Sequence, residues 1–170
     1  MPRAAGTACK IDVLVQSDRW PEPAKIKALL RRAVRAAAAA LSTRGGEVAI
    51  VLADDSAIRL LNHQWRGVDK ATNVLSFPAR SGGGDQPLLG DIVLAYETIA
   101  REARTEAKPF AHHLAHLAVH GFLHLNGYDH ERSPDAEVME GLERQILRRL
   151  AIPDPYRPRA RTTKPLAKSR

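Results

Sequence analysis

Apolar side chains change their spacing along this chain, and each spacing points to an element. Between Lys10 and Gln16, Ile11, Val13 and Val15 alternate with other residues, the two-residue period of a strand. From Pro21 to Leu41 the apolar positions Leu29, Leu30, Val34 and Leu41 form a helical stripe, and the run Ala36 to Ala40 is strong helix former, not linker. Gly45-Gly46 ends that region. Glu47 to Ala53 is a short β-branched run, and Asp54-Asp55-Ser56 then offers N-caps to a helix carrying Ile58, Leu61 and Trp65. Asn73 to Phe77 and Leu88 to Tyr96 read as two more strands, bridged by the loop Gly82-Gly83-Gly84-Asp85, with Gly90-Asp91 marking a bulge or turn. Glu97 to Ala107 is helical in composition, and Pro109 opens another helix that runs to Asn126. A final helix, Pro134 to Leu150, buries Met139, Leu142, Ile146 and Leu150 before Pro153 and Pro155 stop it. The expected fold class is α+β, a small mixed sheet of about four strands packed with about five helices.

The helix from Pro109 to Asn126 is apolar on more than one face. Leu114, Leu117, Ala118, Gly121 and Leu125 form one stripe while Val119, Phe122 and Leu123 lie outside it, so the helix should be enclosed and any site on it should sit in a cleft. Its end carries the densest chemistry of the chain, His120-Gly121-Phe122-Leu123-His124-Leu125-Asn126-Gly127-Tyr128-Asp129-His130. Residues four apart on a helix are separated by about 40° around the axis and about 6 Å along it, so His120 and His124 point the same way. Gly127 can take the left-handed conformation that stops a helix, and the returning segment then offers His130 as a third nitrogen. Three protein ligands leave one tetrahedral position open, as in a catalytic zinc site. Imidazole also suits nickel, copper and iron, so zinc or another divalent transition metal is expected. His112, His113 and His116 continue the ladder below His120; one tetrahedral site cannot use them all, and they are read as supporting or surface residues.

This spacing matches the metzincin pattern H-E-x-x-H-x-x-G-x-x-H at every defined position except one. Gly121 stands where those peptidases carry the glutamate that serves as general base, and glycine can take no proton. The ligands survive without the peptidase base. Other routes to catalysis are poorly supported: the Gly82 to Gly84 triplet lacks both the Walker lysine and the dinucleotide fingerprint, and Ser76, flanked by Leu75 and Phe77, makes no nucleophile elbow.

With 170 residues, the chain suits one domain, expected over residues 1–156. The formal charge of +7 favours an anionic partner, but Arg157 to Arg170 alone carries six basic side chains and no acidic one, leaving about +1 for the rest. That tail, with Pro158 and Pro165 and little apolar bulk, reads as a disordered basic arm. Cys9 has no cysteine to pair with, and no early stretch resembles a signal peptide or membrane span; a reducing, cytoplasmic setting without a membrane partner is expected.

The string from His120 to Glu131 resembles the signature of the YbeY family, bacterial metal-dependent endoribonucleases implicated in ribosomal RNA maturation. Leu61-Asn62-His63-Gln64-Trp65-Arg66, followed by Thr72-Asn73-Val74-Leu75-Ser76-Phe77-Pro78, is similar to a second family motif, and Leu89-Gly90-Asp91-Ile92 to a third. Met139-Glu140 with Glu143, and Asp154-Pro155-Tyr156, continue the likeness, which spans roughly residues 48–156. Where members often have Pro-Thr-Asp, this chain has Ala71-Thr72-Asn73, and the tail beyond Tyr156 has no evident counterpart.

The resemblance implies cleavage of single-stranded RNA in rRNA maturation, at the 16S rRNA 3′ end, and in ribosome quality control. RNA and a ribosomal subunit or its proteins would be the partners, and no DNA is expected. It also implies a functional Arg66, a cation able to hold charge on a scissile phosphate; by residue alone, Arg66 equally suits a helix C-terminal cap. Asp129 can accept a ring N–H from a ligand histidine or cap the turn. Asn73 and Ser76 can line the substrate cleft or be ordinary strand residues. Two alternatives stand beside the nuclease: a metzincin-like peptidase without its glutamate, and a non-catalytic ribosome assembly factor stabilised by metal.

Overall fold

The computed structural model describes residues 8–43, 45–80 and 86–157. The Gly82 to Asp85 loop and the basic tail beyond Arg157 lie outside the described residues. Four strands and five helices follow the order β1 (Lys10–Val15), α1 (Pro23–Leu41), β2 (Glu47–Ala53), α2 (Asp55–Arg66), β3 (Val74–Pro78), β4 (Leu88–Ala95), α3 (Tyr96–Thr105), α4 (Phe110–Leu125) and α5 (Ser133–Arg149). The α+β class with a mixed sheet is therefore observed. Strand order is β1-β2-β4-β3, with β1, β2 and β4 parallel and β3 antiparallel to β4.

The two faces of the sheet bury different partners because side chains alternate along each strand. Ile11, Val13, Val48, Ile50, Leu52, Ile92 and Leu94 face the larger core, shared with α1, α4 and α5. Val93 and Ala95, on the opposite side of β4, join Ala53, Leu75 and Ile58 of α2 in a smaller cluster. Tyr96 opens α3 instead of ending β4: the last ladder bond is Ala95 N–H to the Asn73 carbonyl, and the chain turns directly into the helix. The expected irregularity near Gly90 is present as a register shift, Glu47 pairing with Leu88 but Val48 with Gly90.

Local chemistry sets where α2 starts and stops. Asp54 caps it, its side chain accepting the Ala57 N–H at 2.9 Å, and Asp55 accepts from both the Thr98 N–H and its hydroxyl, tying α2 to α3. At the other end Gly67, at φ +70°, follows Arg66, and buried Asn62 donates to the Lys70 carbonyl at 2.8 Å, fixing the loop that leads to β3.

Helix α4 is central, touching α1, α3, α5, β3 and β4. Every member of its predicted stripe is buried, as are Val119, Phe122 and Leu123. It approaches the sheet closely at Gly121. A Cβ there would stand 3.0 Å from Ile92 Cγ2 and 3.1 Å from Ser76 Oγ, so the missing side chain permits the helix to lie against β3 and β4.

Candidate metal centre and substrate cleft

The end of α4 is built by two backbone bonds: Gly127 N–H donates to the His124 carbonyl and Tyr128 N–H to the Leu123 carbonyl, the paired pattern of a glycine-terminated helix. Gly127 sits at φ +88°, which a side chain would strain, and this reversal carries His130 back over the last turn. One ring nitrogen from each of His120, His124 and His130 then falls within 4.8 Å of the others. The Nε2 atoms of His120 and His124 are 3.0 Å apart. Two nitrogens about 2.1 Å from one tetrahedral ion would be about 3.4 Å apart, so the cluster could hold a metal ion after small adjustments.

The donor set fits an ion chemically as well. His120 Nδ1 lies 2.7 Å from Glu143 Oε1, and because an ionised carboxylate only accepts, Nδ1 carries the proton and Nε2 keeps its lone pair for the cluster. Burial, followed by the positive fields of His120 and His130, holds the His124 pKa below its ordinary value and favours the neutral ring that a metal requires.

Glu143 is the functional candidate that spacing alone did not reveal. Its side chain is fully buried and accepts from His120, from His116 Nε2 at 2.5 Å and from the Tyr156 hydroxyl at 2.5 Å. Burial pushes its pKa up, but the bonds from His116, His120 and Tyr156 outweigh that effect and bring it down to about 2. A signal was available in the chain, since Glu143 lies on the stripe of α5 that also buries Met139, Ile146 and Leu147, where an unpartnered charge would be expensive. Tyr156 is held in turn by Arg144, whose guanidinium lies 5.2 Å from the ring centre.

Beside the histidines lies a cleft of ≈ 580 Å³ lined by Arg66, Asn73, Ser76, Asp129, His120, His124 and His130 among others. The residues singled out from sequence thus share one concavity, in different roles. Arg66 is exposed at the end of α2 and makes no ion pair among the described residues. Asp129 Oδ1 accepts the backbone N–H of His130 at 2.7 Å, a turn contact; the carboxylate on a histidine ring is that of Glu143. Ser76 donates to the Gly121 carbonyl at 3.1 Å, pinning β3 to α4. Asn73 donates from Nδ2 to both oxygens of Glu102, at 3.2 and 3.0 Å, and Glu102 also meets His113 Nε2 at 2.7 Å. An aspartate at position 73 would face Glu102 as a like charge, so the amide suits this wall. His116 and His113 support acidic partners, and His112 is only partly buried.

A model of one protein family, described as Endoribonuclease YbeY, matches residues 14–151. The chain belongs to the YbeY family. Relatives named Endoribonuclease YbeY include one from Rhodopseudomonas palustris strain BisB18, 54% identical over 152 residues and covering 85% of this chain and 90% of the relative. Another, from Bradyrhizobium diazoefficiens, is 56% identical over 159 residues, covering 89% and 87%. Among solved structures, the solution structure of TM1509 from Thermotoga maritima is similar, with a TM-score of 0.52 and 25% identity over 83% of this chain and 91% of that one. As a YbeY-family endoribonuclease, the chain has to engage a phosphodiester, and three histidines and an arginine line this cleft. No described helix is long and apolar enough to cross a membrane.

Proposed function

We propose that residues 1–156 act as one hydrolase domain, a metal-dependent endoribonuclease that cuts single-stranded RNA during rRNA maturation, including the 16S rRNA 3′ end, and in ribosome quality control. The observation that carries this reading is the convergence of His120, His124 and His130 in a cleft that Arg66 also lines. Zinc, or another divalent transition metal, would be held by the three imidazoles. Such an ion supplies Lewis acidity to a water and to a phosphoryl oxygen.

The side chains of the protein carry the remaining work. Glu143 holds the His120 ring through Nδ1 and so aims Nε2 at the cluster. Arg66 contributes a guanidinium able to grip two phosphate oxygens and to stabilise charge that grows on them during cleavage. Asp129, by holding the turn through the His130 N–H, sets where the third imidazole sits. Asn73 and Ser76 shape the wall of the cleft, one against Glu102 and one against α4. A ribosomal subunit or its proteins would present the RNA in a cytoplasmic setting.

The peptidase alternative finds little support in the packing. Position 121 faces Ile92 and Ser76 so closely that even a Cβ would make them give way by a few tenths of an ångström, so a glutamate base there would require the helix or the sheet to shift. Cleavage of a structured rRNA fragment by the wild type, His124→Ala and Arg66→Ala proteins, each with and without chelator, tests the nuclease reading. His124→Ala and chelation should abolish cutting, while Arg66→Ala should slow it about 100-fold or more with metal content intact. Undiminished cutting by folded His124→Ala protein would overturn the metal-centred mechanism.

A further inference from the structure

Trp65 has no role in the chemistry described above, yet it occupies an unusual position. It is 66% exposed, although tryptophan carries one of the largest apolar surfaces of any side chain. The other tryptophan, Trp20, is 3% exposed and donates to the Ala53 carbonyl, as a core indole does. Trp65 instead leans on Phe77 in an edge-on contact, ring centres 6.1 Å apart, which braces the indole without covering it.

Its location gives the exposure a meaning. Trp65, Ser76, Phe77 and Pro78 wall the histidine cleft on one side, and the same four residues wall a second groove that runs across α2 and β4. The two concavities therefore adjoin across a shared wall that includes the indole. The second groove has a volume of ≈ 1030 Å³ and includes Leu60, Gln64, Arg80, Leu88 and the acidic Asp91. Arg66, the next residue after Trp65, lines the cleft and Arg80 lines the groove, so each concavity that shares the indole wall also carries a cation. A braced, exposed aromatic ring on a wall shared by two concavities that each carry a guanidinium suits an unpaired nucleotide strand: a face for a base and charges for its phosphates.

We propose that Trp65 is a base-stacking platform that seats an unpaired RNA nucleotide beside the histidine cleft, with the strand continuing along the groove towards Arg80. This rests on the endoribonuclease reading and adds a physical basis for preferring single strands. A base already stacked within a duplex has no free face for the indole, so paired RNA loses this contact.

The test uses the full chain and a short, unstructured, fluorescently labelled oligoribonucleotide, with a set of copies that each carry one abasic ribose. Trp65→Ala should weaken binding and raise KM by about 5- to 100-fold with kcat nearly unchanged, and Trp65→Tyr should restore most of the loss. One abasic position should weaken binding to wild type and have no further effect on Trp65→Ala, because the same stack cannot be lost twice. Trp65→Ala protein that binds and cuts the oligonucleotide like wild type would overturn the platform and leave this face to protein partners. Equal penalties from the abasic positions in both proteins would overturn it too. Failure of wild type to bind or cut any RNA would remove the endoribonuclease reading itself, a result distinct from either of these.

Discussion

Replacing Glu143 by glutamine tests the least visible part of the site. Glutamine keeps the shape of the side chain but removes its charge and one of its two acceptor oxygens, while three donors still converge on it: His120 Nδ1, His116 Nε2 and the Tyr156 hydroxyl. With its pKa held at about 2 against 4.5 for the unconstrained group, the ionised form is favoured in the fold by roughly 3 kcal/mol, at about 1.4 kcal/mol for each pH unit. Loss of one or two charge-assisted bonds inside the protein points to the same scale, about 2–4 kcal/mol. His120 would also lose the partner that fixes its tautomer, for which about a 10- to 100-fold fall in metal affinity is expected. Two measurements on Glu143→Gln separate these effects: urea unfolding of the metal-free protein, and competition for zinc against a chromophoric chelator. Glu140→Gln is the control, since Glu140 sits one turn away in α5 and pairs with Arg144 at 3.7 Å without reaching a histidine. Zinc affinity of folded Glu143→Gln within about threefold of wild type would refute the reasoning, showing that helix α4 alone aims His120.

Other expectations follow from the same geometry. Acid should weaken the wild type through Glu143: its folded pKa lies below the unfolded value, so its contribution is complete above pH 4.5 and declines as the pH falls towards about 2. Urea midpoints of wild type and Glu143→Gln should therefore converge across that window, and a constant gap would contradict the assignment. Gly121→Ala should destabilise by about 1–3 kcal/mol in thermal or urea melts, because its Cβ would press on Ile92 and Ser76; a neutral result would show that α4 can lift from the sheet freely. Asp54→Ala should lower stability by about 1 kcal/mol through loss of the cap on the Ala57 N–H, leaving metal affinity unchanged.

How much of this was readable in the chain depended on how far apart the interacting residues lie. His120 and His124 meet because of the helical repeat, and His130 joins them because Gly127 can take a positive φ. These are relations within one or two turns of backbone, as is the Asp54 cap, so residue order alone was enough to read them. Element boundaries were less certain: Tyr96 has the composition of a strand residue and becomes the first residue of α3, since the ladder bond available to β4 ends at Ala95. A charge on the apolar stripe of α5 was a signal at Glu143 that the helical spacing alone did not turn into a role, because its partners lie on other elements.

By itself, then, the sequence determined the histidine triad, the turn that gathers it and the absence of a peptidase base, all set by residue identity and local backbone geometry. Only the tertiary structure decided which carboxylate meets a ring of the triad, since Glu143 is 23 residues from His120 and Asp129 is spent on its own turn. It also placed Arg66 and Trp65 at the cleft, through the packing of α2 across the sheet from α4. Such contacts depend on how whole elements dock, and docking is a property of buried surfaces summed over the chain, which no short motif contains.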